Sequence, residues 1–423
     1  MKNNPKKGTR QSLIGQNSWY HYYAGFSDYF VDECISKYLP HHEMGSEIIM
    51  DPWNGTGTTT TCAGVRGIKS IGVDINPVMY VVAKAKMHSV DMITQKTWEE
   101  LTSQEGKAEA QIKYSDPLCK WFSRNTIRCI RSLEQNVLNK QVYSQKVQYA
   151  KNRFETLDTK DSYIYMCFFL VLRKYCEKLH GSNPTWIKAN AEPLISVDYN
   201  TMRNDLLNIL SSHRFGSRSI IQTPANIQVS LSQHIDIPDK SVGLIITSPP
   251  YCTRLDYAIY TQIENAMLGY DNKDIEELRH KMIGSPTIHH SLETSETLNK
   301  LMFCQAILSD IKSHNSKAAS SYYYKTYRQY FSEMMASIME IRRVLKANSK
   351  AVLVVQDSWF KDLHIDVPMA IIEISEALGF QCSREDFSVK YNMVNINTKS
   401  RSHIREKKAT ESVILLQKGE ELC

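Results

Sequence analysis

Val242-Gly243-Leu244-Ile245-Ile246-Thr247-Ser248-Pro249-Pro250-Tyr251 joins an apolar run to an abrupt stop. Residues 242–246 have the continuous apolar character of a strand covered on both faces of a parallel sheet. Two successive prolines then end it, because proline lacks a backbone N–H and fixes φ. The carbonyls of Ser248 and Pro249 are left as rigid acceptors at a strand's carboxyl end, where open α/β sheets bind ligands. Tyr251 adds a flat face beside them. Acceptors next to a stacking ring suit a planar ring that bears an exocyclic amine. The alternative is a strand and a Pro-Pro turn, with Tyr251 as ordinary packing.

A second strand-to-turn junction lies upstream. Ile48-Ile49-Met50 reads as a short strand running into Asp51-Pro52-Trp53-Asn54-Gly55-Thr56-Gly57-Thr58-Thr59. Glycines here let the backbone turn tightly and approach a ligand, with the next helix N-terminus aimed at its negative groups. A dinucleotide fingerprint would want a third glycine three residues after Gly57; Thr60 stands there, which weakens an oxidoreductase reading. Ser70-Ile71-Gly72-Val73-Asp74 is the next strand. Its acid, about twenty residues beyond the glycine turn, is placed to accept hydrogen bonds from ribose hydroxyls.

The flanking sequence alternates helix and strand. Helices are expected over 28–39 with Ser27 as N-cap, up to residue 65, and from Asn76-Pro77 to 88. Ile227-Gln228-Val229 is a third strand, residues 351–355 and 412–416 are later ones, and another begins near Phe380. Helices over 325–345 and 367–378 lie between them. This alternation implies an α/β fold with a doubly wound, mostly parallel sheet.

The chain of 423 residues is 42% hydrophobic and 23% charged, as expected of a soluble globular protein. No apolar run approaches the roughly 18–20 residues of a membrane span, and residues 1–16 lack a signal peptide's apolar core. A cytoplasmic location is expected. Ten cysteines without a CxxC pair suggest reduced, mostly buried thiols. A net charge of +6 permits a nucleic-acid partner without demanding one. Residues 117–138 and 162–179 have helical periodicity, and Lys120, Arg124, Arg128 and Arg131 recur near helical spacing as a solvated or a nucleic-acid-facing stripe. His289 and His290 have no partners in metal-ligand spacing, so no metal is expected. The basic stretch carrying Lys390, Lys399, Arg401, Arg405, Lys407 and Lys408 could track phosphates.

Together these motifs resemble S-adenosylmethionine-dependent DNA amino-methyltransferases of the N4-cytosine and N6-adenine family. The turn 51–59 resembles their D-P-F-x-G-x-G-T-T cofactor turn, with Trp53 in place of phenylalanine, and residues 248–251 resemble the S-P-P-Y catalytic form. Tyr22-Tyr23-Ala24-Gly25-Phe26 resembles the motif covering the cofactor's methionine end, and Arg343-Val344-Leu345-Lys346 a further block. The resemblance implies a Rossmann-like methyltransferase sheet with helical insertions and S-adenosylmethionine as cofactor. It implies cofactor contacts from Tyr23, Phe26, Asp51, Trp53, Gly55, Gly57, Thr58, Asp74 and Ile75, and catalysis by Ser248, Pro249, Pro250 and Tyr251. Double-stranded DNA is the implied partner, with the target base flipped out of the helix and a companion restriction endonuclease in prospect.

The expected organisation is a cofactor-binding half over 17–90, a helical insertion over 91–223, a catalytic half over 224–258 and 320–423, and a second insertion over 259–319. The insertions are the candidates for contacting DNA. Two departures stand out: Ser230-Leu231-Ser232 follows the third strand where the family often has an acid near the adenine, and the cofactor turn precedes the S-P-P-Y motif. Ser248 favours N4-cytosine over N6-adenine as the target. Competing readings are an RNA base N-methyltransferase and a non-catalytic nucleic-acid-binding protein on the same fold.

Overall fold

The computed structural model describes residues 4–5, 12–22, 25–40, 45–88, 116–138, 150–152, 156–179, 187–188, 192–215, 219–252, 255–288, 296–392 and 408–420. Tyr23, His289, His290, Lys399, Arg401, Arg405 and Lys407 lie outside them. The strands are β1 (Ile48–Asp51), β2 (Lys69–Asp74), β3 (Asn226–Val229), β4 (Val242–Thr247), β5 (Leu345–Gln356), β6 (Ser358–Phe360), β7 (Leu363–Ile365), β8 (Phe380–Asn392) and β9 (Lys408–Lys418). Seven of them form one sheet in the order β3-β2-β1-β4-β5-β9-β8. β1 to β5 pair in parallel, and β9 runs antiparallel between β5 and β8. This is the doubly wound, mostly parallel sheet that the alternation of elements implies.

The order reverses beside β1. The chain builds outward from β1 through β2 to β3, then returns to lay β4 and β5 on the other side. Such a reversal opens a crevice at the carboxyl ends of β1 and β4.

The apolar runs fold this way because both sheet faces are covered. On β4, Leu244 and Ile246 pack with helices Asp28–Tyr38 and Thr58–Val65, whereas Val242 and Ile245 pack with helices Tyr324–Val344 and Val367–Ala377. β5 repeats the alternation, with Val352 and Val354 on one face and Ala351, Leu353 and Val355 on the other. Each such buried side chain contributes about 1.5–3 kcal/mol. A further core joins helices Arg124–Val137, Thr159–Cys176 and Tyr199–Phe215 to helices Pro77–Ala85 and Gln262–Leu268. Among the described residues, no helix is long and apolar enough to cross a membrane.

One expectation needs correction, and two details go beyond the sequence. Arg131 is not on a solvated or ligand-facing stripe: it is fully buried, bonded to Asp116 at 3.0 Å, Glu134 at 2.8 Å and the Met267 carbonyl at 2.8 Å. Arg124 and Arg128 on the same helix are exposed, but the helix runs under Gln262–Leu268 and its last turns are covered. Two carboxylates make the buried charge tolerable. Ser27 has the extended backbone of an N-cap yet makes no side-chain cap bond. Asp28 instead accepts from the N–H groups of Tyr29 and Ile14. Finally, the short hairpin β6–β7 directly after β5 falls in sequence with no anticipated strand; two strands of three residues are too short to show a period.

Candidate active site

At the end of β1, Asp51 leads into a turn held to the neighbouring strand by Asn54 N–H donating to the Val73 carbonyl at 2.9 Å. Gly55 and Gly57 have φ of +48° and +78°, the left-handed region that favours glycine. At Gly57 the constraint is doubled, because a Cβ there would lie 2.9 Å from the Ala83 Cβ. Gly57 therefore lets helix Thr58–Val65 start close against helix Pro77–Ala85.

Asp74 ends β2 and turns back onto the glycine turn. Its carboxylate accepts the N–H of Gly55 at 2.8 Å and that of Asn76 at 2.8 Å. Burial pushes its pKa up to about 6 despite those two bonds. Asp51 is fully buried beneath, where burial raises its carboxyl to about 7. One of its oxygens accepts Thr247 Oγ1 at 2.5 Å and Trp53 N–H at 3.1 Å. The other has no hydrogen-bond partner among the described residues. Asp51 thereby ties the end of β1 to the end of β4.

The β4–β5 pairing stops at Thr247 opposite Leu353, so the Ser248 and Pro249 carbonyls lie past the paired strand. Ser248 Oγ donates to the Val354 carbonyl at 3.0 Å. Two tyrosines hold the following residues: Tyr330 Oη donates to the Pro250 carbonyl at 3.1 Å, and Tyr257 Oη accepts the Tyr251 N–H at 3.0 Å. Gly284, at φ +75°, packs so closely that a Cβ would stand 2.5 Å from the Tyr251 carbonyl oxygen.

These turns surround one cleft open to solvent, about 850 Å³ of empty space with that solvent included. Ser248, Pro249, Pro250 and Tyr251 line it, facing Trp53, Gly55 and Thr58 of the glycine turn. Asp74 and Ile75 at the end of β2, together with Phe26, also line it. Asp51 and Gly57 are not in the lining; they sit below it and shape the turn. Tyr23 lies outside the described residues, and its neighbour Tyr22 lines the cleft. Ser230, Leu231, Ser232 and Gln233 after β3 line it too. Their hydroxyls are engaged locally, Ser230 Oγ with the His234 carbonyl and Ser232 Oγ with Ser337 Oγ, both at 2.9 Å.

Tyr257, Gly284 and Tyr330 were not legible as site residues. Tyr257 begins a short helix after the S-P-P-Y run, Gly284 follows three helices later, and Tyr330 sits on a helix whose spacing reads as core. The lining of the cleft nevertheless fits S-adenosylmethionine. It offers apolar walls for a purine and a carboxylate with unfilled acceptor capacity for ribose hydroxyls. A cationic ligand would also favour the ionised forms of two carboxyls whose pKa values burial raises.

No protein-family model matches the chain. It is similar to the Type II methyltransferase M.AvaI of a Nostoc species, 24% identical over 408 residues that cover 87% of this chain and 80% of that protein. The Type II methyltransferase M.BsoBI of Geobacillus stearothermophilus is 23% identical over 402 residues, covering 86% and 78%. M.MvaI of Kocuria varians, also a Type II methyltransferase, is 22% identical over 357 residues, covering 77% and 73%. Across most of its length, this chain is similar to Type II methyltransferases.

Proposed function

We propose that this chain transfers a methyl group from S-adenosylmethionine to the exocyclic N4 amine of cytosine in a specific DNA sequence, as the modification half of a restriction-modification pair. The observation that carries the reading is the meeting of two turns. The glycine turn after β1 and the Ser248–Tyr251 turn after neighbouring β4 line one cleft with Asp74. The names of the chain's relatives support the same reaction class.

When bound, S-adenosylmethionine supplies an electrophilic methyl on a sulfonium that is a good leaving group. Asp74 would hold the ribose hydroxyls, and Phe26, Trp53 and Ile75 would pack around the cofactor. The exocyclic amine is a poor nucleophile, because its lone pair is delocalised into the ring. The Pro249 carbonyl and Ser248 accept its N–H groups and favour a tetrahedral nitrogen with a localised pair. Tyr251 stacks on the flipped base. With the nucleophile already aligned, much of the rate comes from position. Serine before Pro-Pro supports cytosine over adenine as the target.

The test is methyl transfer from labelled S-adenosylmethionine to mixed-sequence duplex DNA and to total RNA, with nucleosides identified by mass. N4-methylcytosine in DNA is the expected product. N6-methyladenine would leave the site's role intact and replace the base, and label confined to RNA would sink the DNA reading.

A further inference from the structure

The carboxyl edge of the sheet carries a second feature beside the cleft. β4 and β5 are parallel neighbours, so the chain leaving β5 emerges on the same edge as the Ser248–Tyr251 turn. What emerges is the hairpin β6–β7, with Trp359 and Phe360 on one strand, Lys361 at its tip and His364 on the other. Phe360 packs at 4.8 Å from the Tyr323 ring, 5.3 Å from His314 and 6.2 Å from Tyr327. The hairpin is thus seated on the start of the helix whose Tyr330 holds the Pro250 carbonyl.

That helix begins irregularly. Ala318 takes a left-handed φ of +63°, and Ala319–Tyr323 form a π-helical turn, a local distortion that recurs at functional sites. The distortion sends three consecutive tyrosines to three partners. Tyr322 Oη donates to the Pro286 carbonyl at 2.7 Å, beside the Gly284 that packs on Tyr251. Tyr323 meets the hairpin and carries Lys361 over its ring at 5.7 Å. Tyr324 carries Lys312 at 5.2 Å.

The result is a rim of cations, two of them, Lys312 and Lys361, held over rings. Lys312, Lys317, Lys325 and Lys361 are exposed there, against the exposed acids Asp310 and Asp362, and Asp362 is engaged by His314 at 2.9 Å. Ammonium groups fixed on aromatic faces lose less freedom on meeting an anion than lysines on open surface. Their chemistry and their place beside the cleft match a phosphate backbone.

We infer that this rim, built from the π-helical turn, the end of helix Met302–Ser313 and the β6–β7 hairpin, grips the phosphates of duplex DNA beside the flipped nucleotide. The inference rests on the methyl-transfer reading above. It assigns backbone contact to a surface outside the helical core formed by Arg124–Val137, Thr159–Cys176 and Tyr199–Phe215.

The experiment is the salt dependence of binding to a mixed-sequence DNA duplex, with S-adenosylmethionine affinity measured by calorimetry on the same proteins. The triple variant Lys312→Gln/Lys317→Gln/Lys361→Gln is compared with Lys37→Gln/Lys69→Gln, whose lysines lie away from the carboxyl edge. Each phosphate that is no longer neutralised lowers the log–log salt slope by about 0.9. The triple variant should therefore flatten the slope by about two to three, with cofactor affinity unchanged, while the double variant keeps the wild-type slope. A wild-type slope in the triple variant overturns the inference and leaves the methyl-transfer reading standing. So does a flattened slope confined to an A-form RNA duplex. Wild-type protein that binds cofactor but neither binds nor methylates DNA overturns both.

Discussion

Replacing Asp51 with asparagine isolates the electrostatic strain beneath the site. The side chain is fully buried, accepts from Thr247 and Trp53 on one oxygen, and leaves the other without a partner among the described residues. Burial lifts its pKa from 3.8 to about 7. In the unfolded chain the carboxyl ionises near its ordinary value, so between the two the native state holds a proton that the unfolded state has lost. Stability from this group is therefore fully present below the unfolded pKa and is lost as pH rises to about 7. Each pH unit in that window is about 1.4 kcal/mol, so raising the pH from 5 to 8 should cost the wild type about 2–3 kcal/mol through this residue. The Asp51→Asn variant has no carboxyl to ionise at this position and escapes that loss. Its amide oxygen retains the acceptor for Thr247, and any penalty for the new amide is constant with pH, so it cancels in the comparison. Urea unfolding of both proteins at pH 5 and pH 8 measures the difference. The variant should gain about 2–3 kcal/mol on the wild type between the two, with other titrating groups common to both. Parallel stability–pH curves would show that Asp51 is ionised at little cost, and the account of its burial would fail.

Other perturbations address the surrounding parts. Tyr330→Phe removes the hydroxyl that holds the Pro250 carbonyl; turnover should fall roughly tenfold, about 1.4 kcal/mol, with cofactor affinity unchanged in calorimetry. Equal loss of both would mean that the residue supports the whole cleft. Gly57→Ala forces a left-handed alanine against Ala83 and should cost about 2–4 kcal/mol in thermal or urea unfolding; wild-type stability would refute the packing argument. Arg131→Met leaves Asp116 and Glu134 buried without their cation and should destabilise by about 3–5 kcal/mol in the same assay. Asp74 titrates at about 6, and only its carboxylate accepts from ribose hydroxyls without competition from its own proton. S-adenosylmethionine affinity should therefore weaken as pH falls from 8 to 5, and the Asp74→Asn variant should lose most of that dependence.

Local signals were enough for much of the catalytic half. Continuous apolar runs at β4 and β5 require cover on both faces, and the two prolines after β4 fix where that strand stops. Hence the doubly wound sheet was legible, as were the two turns whose residues line the cleft. What the chain order cannot express is which distant groups meet. Arg131 has the spacing of a surface stripe, and only the helix laid across it makes it part of a core. Asp51 opens the glycine turn in sequence, but its carboxylate is turned down to Thr247 across the sheet. Tyr257, Gly284 and Tyr330 converge on the S-P-P-Y turn from segments with no shared period. The sequence by itself determined the sheet and the turns at its carboxyl ends, because strand burial and backbone turns depend on neighbours a few residues apart. The tertiary structure alone decided which groups clamp that chemistry and where charge is buried, because hydrogen bonds and desolvation depend on distance in space.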